Sequence, residues 1–142
     1  MTAYLNPTWE AGRDLMRRGI TGPIIMLNLL RFRAVADYSA TPELTPAVPI
    51  SGAQAYDRYM HHTLPLLKES GGALLFAAQG GSFLIGPDTE RWDYVLLVHQ
   101  QSIAAFMAFA SRAEYQRGIG HRTAALEDSR LLPLVEQAGL RF

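Results

Sequence analysis

His121-Arg122 is the pair of side chains in this sequence best suited to chemistry. A neutral imidazole exchanges a proton near neutral pH, and an adjacent guanidinium can clamp an anion through two parallel hydrogen bonds. Gly118 and Gly120 lie just upstream, where a missing Cβ lets backbone approach a ligand closely. The structural alternative is a histidine at a helix start bonded to a nearby carboxylate or carbonyl, with Arg122 tying down a loop. Asn28 interrupts an otherwise apolar run, so its amide either orients a carbonyl or enolate oxygen in a pocket or is satisfied within the core. Tyr56 and Tyr59 are three apart and share a helical face, as a pocket wall or as core aromatics with bonded hydroxyls. Trp92 and Asp93 open a strand, where Asp93 can act as a base or pair with an arginine.

Other pairings are excluded by geometry. His61 and His62 resemble a metal signal, but neighbours on a helix diverge by about 100° and cannot easily share one ion. Asp93 and His99 share a strand face, yet six residues separate them by about 20 Å. There is no G-x-S-x-G elbow and no phosphate loop, and Gly118-Ile-Gly120 lacks the third glycine of a dinucleotide fingerprint. We therefore expect no metal and no cofactor.

These residues are positioned by a regular succession of elements. Asn6-Pro7 reads as the start of a helix over about 6–20. Pro23–Arg33 is the strongest strand: Ile24, Met26, Leu30 and Phe32 point one way and Ile25, Leu27 and Leu29 the other, which predicts a central strand covered on both faces. Residues 34–50, with Pro42, Pro46 and Pro49, read as a long loop, either a binding arm or a surface excursion. Ser51 and Gln54 form a capping box before a helix in which Pro65 predicts a kink and Gly71-Gly72 the end. Residues 73–79 and 82–86 read as one strand with a bulge at Gly80-Gly81, followed by a turn and a second strand at 91–99. Ser102 caps a helix, and Ser111 with Glu114 predicts a second capping box before a short one. Gly118 and Gly120 then break the path before residues 121–128, and a last strand at 129–136 carries Pro133, which suggests an edge.

After the first helix the order is βαββαβ, the ferredoxin-like α+β arrangement, with both crossover helices on one side of a four-stranded antiparallel sheet. The other side would display apolar side chains from all four strands, more than a monomer ordinarily leaves exposed. Only the 6–20 helix and the Pro-rich loop are free to cover it. Pairing of two sheets across a two-fold axis is the economical solution, so a homodimer is expected.

Composition narrows the function classes. The 142 residues and 15.7 kDa suit one domain over 1–142. Thirteen basic and 13 acidic side chains cancel, which argues against a nucleic-acid platform. Lys68 is the only lysine among the cations, a bias that suits anion recognition but that codon composition explains better. Zero cysteines exclude disulfides and a thiol nucleophile. With no membrane span and no export pattern, a cytoplasmic protein is the default expectation.

The stretches Met26–Arg33, Ser51–Tyr56 with Tyr59, and His121–Leu131 together resemble a family of uncharacterised bacterial proteins in the dimeric α/β-barrel superfamily. The resemblance runs over roughly residues 5 to 135 and implies two ferredoxin-like units packed sheet to sheet. Relatives in the superfamily include cofactor-free monooxygenases, muconolactone isomerases, haem-binding chlorite dismutases and members with no known catalysis, so the resemblance bears on fold more than on activity. Two functional classes follow. One is an enzyme with a pocket between helices and sheet, performing cofactor-free proton transfer or oxygenation on a small hydrophobic or anionic metabolite. There His121 is the acid/base, Arg122 the anion clamp, Asn28 the oxyanion donor, and Tyr56, Tyr59, Trp92 and Asp93 shape the site. The other is a non-catalytic metabolite-binding or accessory protein, or a structural dimer without a pocket.

Overall fold

In the computed structural model, which describes residues 2–137, the elements are α1 (Trp9–Arg17), β1 (Ile24–Phe32), α2 (Gly52–Glu69), β2 (Ala73–Ser82), β3 (Arg91–Gln100), α3 (Ile103–Ser111), α4 (Ala113–Ala125) and β4 (Leu126–Leu134). Met1 and residues 138–142 of the expected single domain lie outside the described residues. The four strands form one antiparallel sheet in the order β2-β3-β1-β4. This is the ferredoxin-like α+β fold. The two-sided apolar strand is central, and Pro133 sits on the edge strand β4, where a missing amide donor costs no ladder bond. Among the described residues no helix is long and apolar enough to cross a membrane.

The helices start where local hydrogen bonding dictates. Ser51 and Gln54 make the reciprocal capping box at 3.0 and 2.9 Å, and α2 runs through Pro65 until Gly71 turns the chain with φ +84°. Ser102 Oγ accepts from the Ala105 amide to start α3. The first helix begins later than Asn6-Pro7, because it is Thr8 whose hydroxyl accepts from the Ala11 amide.

Three local expectations are corrected. Ser111 does not cap the following helix: its hydroxyl donates to the Met107 carbonyl and closes α3, and Arg112, in an extended conformation, starts α4 instead. Gly118 and Gly120 do not break the chain but lie inside α4, so His121 is a mid-helix residue. Both are required by close approach, since a Cβ at Gly118 would run into the His62 ring and one at Gly120 into Thr41 and Leu44. In β2 the register slips between Leu74 and Phe76, while Gly80-Gly81 stay in the ladder and the strand ends at Ser82. An added Cβ at Gly80 would strike the Trp92 carbonyl of β3, so the glycine serves strand approach rather than a bulge.

The sheet has two unlike faces. Leu30 and Leu96 point to the helices and are buried against Tyr56, Tyr59, Phe109 and Tyr115. On the outer face Ile25, Leu27 and Leu29 lie beside His99, Leu97 and Val95, flanked by Phe76 and Leu132, each 53% exposed. Neither free segment covers this face. Leu15 and Ile20, from and just after α1, pack near Ile24, Met26 and Phe106 at the helix side, and the loop at 34–50 lies over α4.

Candidate functional site

The loop at 34–50 is a strap bolted to the end of α4. The Arg33 and Asp37 amides donate to the carbonyls of Ala125 and Ala124 at 2.8 and 2.9 Å, giving the last turn of the helix the partners its carbonyls would otherwise lack. The Ala36 amide bonds the Ile50 carbonyl, closing the loop on itself, and a 3-10 turn at Pro42–Leu44 lays Thr41 and Leu44 against Gly120. This closure carries Tyr38 inward until it is only 6% exposed. Its hydroxyl then meets His121 Nδ1 at 2.7 Å, with the two rings edge to face.

Electrostatics keep this histidine neutral. Burial lowers the His121 pKa below its ordinary value, and the positive charges of Arg58 and His62 lower it further. Burial likewise raises the Tyr38 phenol, opposed by Arg58. A neutral imidazole has one donor and one acceptor nitrogen, so the Tyr38 bond at Nδ1 leaves Nε2 to give or take a proton. Arg58 has no carboxylate partner among the described residues, which leaves its guanidinium for an anion. Tyr38 also lines a concavity of about 240 Å³ enclosed by the strap itself, whose other walls include Val35, Pro46, Val48 and Ile50. A second, of about 400 Å³, lies between the end of α2 and the start of β2, at Leu64, Leu67, Gly72 and Leu74. Neither is lined by Asn28 or His121.

The remaining sequence-derived candidates are engaged within the chain, although the buried Trp92 Nε1 has no hydrogen-bond partner among the described residues. Asn28 donates to the Met26 carbonyl at 3.2 Å within its own strand, and among the described residues no hydrogen bond joins it to His121. Tyr56 and Tyr59 fill the space between helices and sheet, with Tyr59 bonded to the Tyr115 hydroxyl at 2.9 Å. Burial pushes both phenols well above their ordinary range, so they remain protonated. Arg122 ties down the N-terminal segment through the Leu5 carbonyl at 2.6 Å. Asp93 accepts the Phe32 amide at 2.8 Å, just beyond the last β1–β3 pair, and bridges to Arg91 at 2.9 Å. Trp92 lies under the guanidinium groups of Arg130 and Arg31, which flank Asp128. Among the described residues no group of three His, Asp or Glu side chains is placed to hold a metal ion.

Sequence reasoning missed Tyr38 and Arg58. The one available signal for Tyr38 was an aromatic residue in a proline-rich stretch with no apolar period.

No family model matches the chain, and no curated protein matches it. Among solved structures it is similar to a methylated form of the RPA0582 protein, at 35% identity over 99% of this chain and 100% of that one, with a TM-score of 0.85. The RPA0582 protein of unknown function from Rhodopseudomonas palustris matches at 37% identity over 94% and 96% of the two chains, with a TM-score of 0.81. The chain belongs to the RPA0582 family. An uncharacterized NIPSNAP domain protein from Burkholderia xenovorans is similar at 11% identity over 84% of this chain and 99% of that one, with a TM-score of 0.51, a likeness of fold alone. In this member of the RPA0582 family, the strap and α4 are the elements that bring a titratable pair together.

Proposed function

We propose that this RPA0582-family protein is a homodimer that binds a small anionic or hydrophobic metabolite at the 34–50 strap and moves a proton on it through His121, without a cofactor. The observation that carries the reading is the Tyr38–His121 contact of 2.7 Å, made by a buried phenol from the strap beside a concavity it also lines. The tyrosine hydroxyl fixes the orientation of the imidazole ring, and where it accepts from Nδ1–H it leaves Nε2 as the base. Arg58 supplies the attraction for an anionic group, and the apolar strap residues receive the hydrophobic body. The helix–sheet interior, filled by Tyr56, Tyr59, Phe109 and Tyr115, favours the strap as the site. Homodimer formation is supported by the apolar outer face of the sheet, which no part of the described chain covers.

The apolar walls of the strap concavity favour one second reading, a carrier that binds the same metabolite and leaves it unchanged. Incubation with small carboxylates in heavy water separates the two. Loss of a carbon-bound proton signal from the ligand with the wild type, abolished in a His121→Ala protein that remains folded by circular dichroism, supports catalysis. Binding with no exchange supports the carrier.

A further inference from the structure

Helices α2 and α4 run antiparallel along a seam whose charges are segregated. At one end Glu69 and Glu114 both bind Arg112, at 3.0 and 3.2 Å, so these two carboxylates are spent on one guanidinium. Midway, the His62 ring lies over Gly118, whose missing Cβ admits it, and reaches the Glu114 carbonyl at 2.6 Å. A carbonyl only accepts, so His62 Nε2 carries the proton and Nδ1 is left free. Arg58 stands one turn before His62 on α2, and His121 one turn after Gly118 on α4. The antiparallel packing therefore sets Arg58 opposite His121, with Tyr38 of the strap behind. Among the described residues Arg58 has no carboxylate partner. Asp57 and His61, its neighbours and those of His62 in sequence, leave the helix about 100° away. On the strap, Asp37 accepts from the Ser39 amide at 3.0 Å. Arg117, beside Gly118, adds positive charge whose field already reaches Glu114.

An open guanidinium and an imidazole four residues apart on one helical ridge make a clamp for an anion. Their Cβ atoms stand about 5–6 Å apart, a gap that one carboxylate or sulfate-sized group bridges. Resting on the strap reading above, we infer that the anionic head of the ligand is an oxyanion held between Arg58 and protonated His62 on the α2–α4 seam, which sets the rest of the molecule against His121 Nε2. With Nε2 pinned on the Glu114 carbonyl the His62 ring cannot turn, so Nδ1 keeps one direction. It donates from Nδ1 only when the ring carries a second proton, which makes His62 a specificity-determining residue for anions. Bound proton and bound anion therefore favour one another, and affinity falls as pH rises. The same anion has a second effect. Arg58 and His62 are the positive charges that depress the His121 imidazole, and an oxyanion between them cancels part of that field. The ligand thereby strengthens the base that acts on it.

The test uses the full chain and two ions that keep their charge between pH 6 and pH 8: sulfate for a phosphoryl head and acetate for a carboxylate. Binding is followed in nitrogen-15 spectra of the histidine rings. The clamp predicts saturable binding of at least one ion at pH 6, about tenfold weaker at pH 8, with His62 Nδ1 becoming protonated as the ion binds. Arg58→Gln and His62→Gln should each weaken it about tenfold, while Arg17→Gln on α1 leaves it unchanged. Tighter sulfate assigns a phosphoryl head, and tighter acetate a carboxylate. The pH dependence and the His62 signal are read on wild type, so a variant that fails to fold does not decide the outcome. Binding indifferent to His62→Gln and to pH overturns the clamp and leaves the strap site standing. No saturable binding of either ion does the same, because the strap site is judged on larger carboxylates. Saturable binding at His62 with His121 unmoved by every carboxylate overturns the strap reading instead.

Discussion

The Tyr38 hydroxyl and His121 Nδ1 lie 2.7 Å apart although 83 positions separate them in the chain. That contact exists because the strap is closed by backbone bonds at Ala36–Ile50 and Asp37–Ala124, which leave Tyr38 nowhere to point but into α4. The pair is therefore a property of the fold rather than of a local motif, and a change on either side is felt at the other.

Tyr38→Phe keeps the ring packing and removes the hydroxyl. It should cost about 1 kcal/mol of stability, the ordinary worth of a half-buried hydrogen bond, measured by urea unfolding. Hydrogen exchange at the Asp37 amide should accelerate with it, because that bond belongs to the same clamp.

His121 makes stability depend on pH. Burial first, then Arg58 and His62, lowers its folded pKa below the unfolded value of 6.5, so the unfolded chain binds the proton more readily. Its contribution is fully present above 6.5 and declines as pH falls through the folded pKa. Melting curves from pH 7.5 to 5 should show this slope in wild type and a flatter one in His121→Phe; parallel curves would contradict it.

Asp128 acts at lower pH. Burial opposes its charge, but the Tyr4 amide at 2.8 Å, the Arg130 guanidinium at 2.8 Å and the Ser129 amide at 2.9 Å outweigh that and hold its pKa below 3.8. Its stabilisation is present above that value and is lost as pH falls through the folded pKa. Asp128→Ala leaves Arg31 and Arg130 without this partner and should cost about 2–4 kcal/mol, with release of the N-terminal segment visible as faster exchange at Tyr4.

Gly118→Ala tests the helix contact. Alanine is the better helix former, so an exposed site would gain stability. Here the Cβ meets the His62 ring, and a loss of about 1–3 kcal/mol is expected in thermal unfolding.

The same glycines show where sequence reasoning succeeded and where it had to fail. Elements governed by their own residues were legible: the two-sided apolar pattern of β1, the Ser51–Gln54 box and the edge position of Pro133 all follow from local rules. Helix α4 was not, because helix propensity penalises Gly118 and Gly120, and only the distant His62, Thr41 and Leu44 explain their presence. The site divides in the same way. His121 stood out by its side-chain chemistry, whereas Tyr38 comes from a loop with no period, so nothing local points to its partner. Asn28 broke an apolar pattern, yet a bond to its own strand at Met26 accounts for it.

The strap site is tested most directly by nitrogen-15 spectra of the histidine side chains and backbone during titration with a panel of small carboxylates. Saturable shifts at His121, accompanied by Tyr38 and Arg58 and lost in Tyr38→Phe/His121→Ala, are the predicted result. Saturable shifts confined to the outer sheet face or to the Trp92–Asp128 cluster, with His121 unmoved, would contradict it.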